Sequence, residues 1–174
     1  MRARERVKSD PVTLTSLLAF YGAALSSIAL GWNLYRDLRD RARIRVKVHI
    51  RRVVKTPDGK WYQLTPDLPV QGASDKLYVV ADVTNIGRRP VKCTGWGGTY
   101  HKPQDGKRHF RIVPSALPIM LKEGDSCSEM TDDLSAAGEN VKALFIDDAA
   151  DKRWYLSGRD LRRLKQEHQK WINS

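Results

Sequence analysis

The stretch from Pro11 to Tyr35, PVTLTSLLAFYGAALSSIALGWNLY, carries no charged residue, although charged residues make up 29% of the chain. As a helix rising about 1.5 Å per residue it reaches roughly 35 Å, enough to cross a hydrocarbon layer of about 30 Å with modest tilt. A chain of 174 residues has few ways to hide such a run. The sequence therefore predicts one N-terminal transmembrane helix over residues 11–35. Asp10 and Pro11 supply an N-cap and a first-turn proline, and Trp32 and Tyr35 stand where an interfacial aromatic belt belongs. The hydroxyls of Thr13, Thr15, Ser16, Ser26 and Ser27 can bond back to their own helix, which keeps desolvation cheap.

Small residues recur every four positions at Ala19, Ala23, Ser27 and Gly31. Such a stripe either lets two helices pack closely, making a homo-oligomer through the span, or reflects ordinary span composition. A cleaved signal peptide is the rival to an anchor, with Ser27-Ile28-Ala29 imitating a cleavage site. The uncharged run exceeds the usual apolar core of about 7 to 15 residues in such peptides, which favours the anchor.

The formal net charge is +11, and its placement gives it meaning. A basic tail, residues 1–10, precedes the span with Arg2, Arg4, Arg6 and Lys8. A basic juxtamembrane segment, 36–43, follows it, and the cations continue through Arg51 and Arg52. Arg36, Arg39, Arg41, Arg43, Arg45 and Lys47 are the expected contacts to anionic membrane lipid. Basic residues near a span tend to stay in the cytoplasm, and the heavier cluster lies after it. This predicts a cell inner-membrane protein with its N-terminus outside and the rest of the chain cytoplasmic; a periplasm-facing envelope protein is the alternative.

From Ile44 the period changes to two. Ile44, Val46, Val48 and Ile50 alternate with Arg45, Lys47, His49 and Arg51, the signature of a strand with one buried and one wet face. Thr56-Pro57-Asp58-Gly59 is a turn returning as Trp61–Leu64, residues 65–75 read as a loop, and Leu77–Thr84 reads as a central strand. Asn85–Pro90 turns the chain into Val91–Tyr100, whose Gly95, Gly97 and Gly98 predict a bulge or a close backbone approach. Further short strands are expected at 110–113, 117–121, 126–130, 141–146 and 153–156. Residues 44–157 thus read as one mainly β domain, an antiparallel β-sandwich, with an open barrel or one twisted sheet against a helix as the alternatives. Residues 158–174 read as a C-terminal amphipathic helix capped by Asp160, packing through Leu161, Leu164 and Trp171.

A span, a basic exit and the stretch VVADVTNIGRRPVKCTGWG together resemble small uncharacterised bacterial or phage-borne membrane-anchored proteins with an immunoglobulin-like β-sandwich domain. The residues carrying the resemblance are Val79, Val80, Val83, Asn85, Gly87, Arg88, Pro90, Val91 and Gly95. It implies an immunoglobulin-like fold and no catalytic residue. The cysteine pair and tryptophan spacing of antibody domains are absent.

Chemistry is sparse. Cys93, His101, His109 and Cys127 lack the close ligand pair of a structural zinc site, so no metal and no cofactor is expected. Whether Cys93 and Cys127 pair is open. No nucleophile elbow, phosphate loop or zinc-protease motif occurs. Asp132, Asp133, Asp147, Asp148 and Asp151 could in principle do acid-base work or hold calcium, but residues 147–152 read most simply as a solvated hairpin loop. Basic residues beside aromatics at Arg52, Trp61, Tyr62, Trp154 and Tyr155 suggest a partner surface. The sequence predicts a non-catalytic single-pass binding or adaptor protein whose β domain engages another protein, with a nucleic-acid-binding basic domain as the alternative.

Overall fold

The structure, a computed structural model, describes residues 11–56, 58–67 and 76–172. The tail 1–10 with its Asp10 cap, Pro57 of the first turn and most of the 65–75 loop lie outside the described residues. The protein is mainly β, with 43% of its residues in strands. It divides into two compact units, Met1–Arg41 and Ala42–Ser174.

The first unit is helix α1, Pro11–Arg39, which continues beyond the uncharged run ending at Tyr35 into the helix-compatible basic segment that follows it. Leu14, Leu17, Leu18, Phe20, Tyr21, Ile28 and Leu30 are all exposed. At about 100° per residue they are spread around the circumference, so α1 lacks the single apolar stripe of a surface helix on a globular domain. It is long and apolar enough to cross a membrane. Ser26 Oγ donates to Gly22 O at 2.8 Å and Ser27 Oγ to Ala23 O at 2.9 Å, so both hydroxyls are satisfied within the helix. The Trp32 and Tyr35 rings lie 5.9 Å apart near its C-terminal end.

Among the described residues the second unit has nine strands: β1 (Ile44–Lys55), β2 (Trp61–Leu64), β3 (Leu77–Asn85), β4 (Val91–Gln104), β5 (Lys107–Ile112), β6 (Ile119–Leu121), β7 (Ser126–Thr131), β8 (Val141–Asp148) and β9 (Arg153–Tyr155). Helix α2, Gly158–Ile172, closes the chain. The strands form two antiparallel sheets, ordered β2-β1-β3-β7 and β5-β4-β8-β9, with β6 paired to β4. The alternation read from β1 holds: Val46 lies opposite Val83, Val48 opposite Ala81 and Ile50 opposite Val79, all buried. One core joins those residues to Val91, Cys93, Trp96, Leu121, Val141, Leu144 and Ile146 of the other sheet. Each fully buried valine or isoleucine stabilises by about 1.5–3 kcal/mol relative to exposure.

The turn between β3 and β4 is tied by one buried side chain. Asn85 Nδ2 donates to Arg89 O at 2.9 Å and to Leu121 O at 3.0 Å, and its Oδ1 accepts the Gly87 N–H at 2.9 Å. At α2 the cap is Ser157, not Asp160: the Asp160 N–H donates to Ser157 Oγ, which donates in turn to Asp160 Oδ2. The acid sits in the first turn, where a carboxylate suits the helix dipole. Leu164 enters the core, with Leu161 and Trp171 packed against it. Glu167 Oε2 accepts the Ile50 N–H at 3.4 Å, where β1 has no β2 partner.

Candidate binding surfaces

On the outer face of the β5-β4-β8-β9 sheet a side-chain cluster takes the place of covering chain. Leu144 and Ile146 point into the core, so Phe145 between them points outward, yet it is 1% exposed. Arg153 and Arg111 cover it, their guanidinium carbons 4.5 and 5.5 Å from the ring centroid, and Tyr155 meets it edge-on at 5.8 Å. Both guanidinium groups pair with Asp147, Arg153 Nε at 3.4 Å from Oδ1 and Arg111 Nη1 on Oδ2. The glycines of β4 lie beneath this reach. Gly97 pairs with both Arg111 and Phe145, and Gly95 with Asp147. Arg111 lies across Gly95, where a Cβ would make an ordinary contact with its Nη1 at 3.6 Å, and a Cβ on Gly97 would collide with Phe110 O. The close approach expected of these glycines is present.

Asp147 and Asp148 are therefore not the solvated loop carboxylates expected from sequence. Strand β8 runs through Asp148, and both are buried. Asp148 accepts the Trp154 Nε1–H at 2.8 Å and the N–H groups of Ala150 and Lys152 at 2.9 and 3.0 Å. Burial alone would raise its pKa; the indole and backbone donors outweigh burial and hold the carboxyl below its usual range. The turn proper is Asp148–Lys152, with Asp151 at φ +57°.

A second surface lies around Trp61, which is 52% exposed. A cavity of about 510 Å³ is lined by Trp61, Tyr78, Phe110, Val113, Met130 and Asp132. Another, of about 310 Å³, is lined by Val53, Trp61, Val80, Ser115 and Met130. Trp61 and Met130 belong to both and form the ridge between them. Lys55 Nζ lies 5.5 Å from the Trp61 ring centroid, at the distance of a cation–π contact.

The five residues expected to share a partner surface do not gather. Trp61 and Tyr62 alternate along β2, so they face opposite sides, and Arg52 alternates with Val53 on β1, which puts it on the Ile50 side. Tyr155 belongs to the outer cluster of the other sheet. Trp154, one residue earlier, turns inward, packs against the core and carries Lys152 Nζ over its ring at 3.8 Å. Arg36, Arg39, Arg41, Arg43, Arg45 and Lys47 are exposed, as are Ala19, Ala23, Ser27 and Gly31 along α1.

One polar residue escaped the sequence reading. Glu129 is fully buried on β7 opposite Ala81. Its Oε2 accepts the Ser115 N–H at 2.6 Å and Ser115 Oγ–H at 3.1 Å; its Oε1 accepts the Ala116 and Leu117 N–H groups, each at 2.7 Å. Four donors replace the water that a buried carboxylate loses. Alternation was the available signal, since Glu129 shares a face with inward Cys127. Both thiols are free. Burial, with the Cys127 thiol and Asp148 nearby, pushes Cys93 up to about 12, and burial with Glu129 and Asp82 pushes Cys127 up to about 11. Among the described residues no group of three or more His, Cys, Asp or Glu is placed to hold a metal ion.

Comparison with known proteins finds no matching family, no similar curated protein and no similar solved structure.

Proposed function

We propose that this chain is a single-pass, membrane-anchored binding protein without catalysis of its own, whose β unit serves as an adaptor at the cytoplasmic face of the inner membrane. The observation that carries it is α1, a 29-residue helix apolar on every side, with its apolar stretch unburied and with its cations, Arg36 and Arg39, confined to the last turn. Exposed Leu and Phe on all faces are unfavourable in water and favourable in lipid. The six exposed cations from Arg36 to Lys47 support contact with anionic headgroups, each nearby one contributing about 1 kcal/mol. The exposed Trp61 is the aromatic anchor the β unit offers a protein partner.

The finer fold reading is an immunoglobulin-like sandwich. The sheet order β5-β4-β8-β9 matches the C′-C-F-G order of such domains, and β1-β3-β7 matches A-B-E. Trp96, buried on the strand equivalent to C, supports the same reading.

Membrane fractionation with alkaline extraction tests the anchor: the protein stays in the pellet, and release by carbonate overturns it. Ala24→Arg, at mid-helix, lowers insertion by about 2.5–3.5 kcal/mol. Reporter fusions after Ser174, one active only in the cytoplasm and one only in the periplasm, decide the side; a periplasmic signal reverses the placement.

A further inference from the structure

The end of β4 is built differently from the rest of its sheet. Thr99 pairs with His109 and Gln104 with Lys107, so Tyr100, His101, Lys102 and Pro103 together face the single residue Arg108. On the other side Thr99 pairs with Ala143 and Tyr100 with Val141, which leaves Lys142 as an extra residue of β8. Two irregularities thus meet at one place, and such bulges re-aim side chains. The bulged segment is fastened by Asn140: its carbonyl accepts the His101 N–H at 2.8 Å, its Oδ1 accepts the Lys102 N–H at 2.9 Å, and its Nδ2 donates to Lys102 O at 2.9 Å.

The result is a cavity of about 410 Å³ lined by Thr99, Tyr100, His101, Pro103, Arg108, His109 and Lys142, with no carboxylate among them. Its volume falls within the range of small-ligand sites. Among the described residues neither Arg108 nor Lys142 is held in an ion pair, in contrast to Arg111 and Arg153 on the same sheet. Charge on the edge strand β5 would by itself be explained as protection against edge-to-edge pairing. That account does not reach Lys142, which comes from β8 inside the sheet, or the splayed His101.

We propose that this cavity binds a phosphate group, with Arg108 and Lys142 supplying the charge and the Thr99 hydroxyl and the two imidazoles the remaining hydrogen bonds. A guanidinium and an ammonium group lining one cavity with no acid in its wall suit a phosphate, bidentate from arginine and point-like from lysine. The phosphate group is that of a soluble phosphoester or of a lipid headgroup, two sources the competition below separates, and the site does not depend on the membrane reading. Titration calorimetry of the full-length chain in a non-ionic detergent, with inorganic pyrophosphate as the probe at low salt, gives saturable one-to-one binding. Arg108→Gln and Lys142→Gln, both at exposed positions and so compatible with folding, each weaken it by about tenfold. Lys122→Gln, in the turn before β7, leaves it unchanged. Phosphatidic acid added to the micelles competes if the site takes a headgroup and has no effect if it takes a soluble phosphoester. Absence of saturable binding, or equal weakening by Lys122→Gln, overturns the proposal.

Discussion

The Leu117 N–H donates to Glu129 Oε1 at 2.7 Å inside the β unit, where the carboxylate has no exposed surface. Residues 115–117 thereby hang on one side chain of β7. Glu129→Ala strips the acceptor from three backbone N–H groups at once. At about 1–3 kcal/mol for each buried donor left unsatisfied, partly relieved by water, the loss is about 3–5 kcal/mol. Glu129→Gln keeps one oxygen and costs roughly half as much. Urea midpoints of the two variants check this; equal midpoints would show that the carboxylate does not carry the segment.

Asp148 links acid stability to the β8–β9 turn. Its native pKa is held low, so its contribution is complete above the unfolded carboxyl value of about 3.9 and is lost as pH falls through the lower native value. Asp148→Asn therefore destabilises by about 1–2 kcal/mol at pH 7. The gap to the wild type closes below about pH 4. Urea melts at pH 7, 5, 3.5 and 2.5 read the difference, and a gap independent of pH would remove the carboxylate's charge from the account.

Gly97 and Gly95 separate sterically. A Cβ at 97 meets the Phe110 carbonyl oxygen at 2.3 Å, which is backbone and cannot swing away, whereas a Cβ at 95 meets only Arg111 Nη1 at 3.6 Å, an ordinary contact. Gly97→Ala costs about 2–3 kcal/mol and Gly95→Ala under about 1. Thermal melts of the pair test the order, and a Gly95 variant as unstable as the Gly97 variant would contradict it.

The thiols are slow nucleophiles. With its pKa near 11, Cys127 is about 0.1% thiolate at pH 8 against roughly a quarter for an ordinary cysteine. Iodoacetamide should therefore alkylate the native protein about two hundredfold more slowly than the urea-unfolded chain, with Cys93 slower still. Mass spectrometry of timed samples measures this; rapid native labelling of Cys93 would mean that its strand opens.

What could be read from the sequence follows what is periodic in it. An uncharged run predicts a helix whatever surrounds it, and the helix-compatible composition of residues 36–43 fits the continuation of α1 past Tyr35 to Arg39. Alternation located the core face of β1 and β3, and the bounds of β2 came out as expected. Alternation also says that Trp154 and Tyr155 face opposite ways, which no common surface can satisfy. Glu129 was missed and Asp147 was read as a solvated loop acid because a carboxylate in a short polar run looks solvated until its donors are known. Those donors, at residues 115–117 and at Arg111, are distant along the chain and adjacent only after folding. The phosphate cavity depends on a register slip between β4 and two neighbours, which the glycines and Pro103 hint at without locating.

Tension entering the β unit at Ala42 reaches β1 first, whose nine paired positions with β3 run from Ile44 to Arg52. A ladder of that length spreads such a load over many hydrogen bonds. Beyond α2, the opposite end of the unit is secured by β9 through three paired positions, Arg153 to Tyr155. A tug on the N-terminal tether is thus resisted by the long β1–β3 ladder, and the same tug applied from the C-terminus would meet a helix and then a short edge strand.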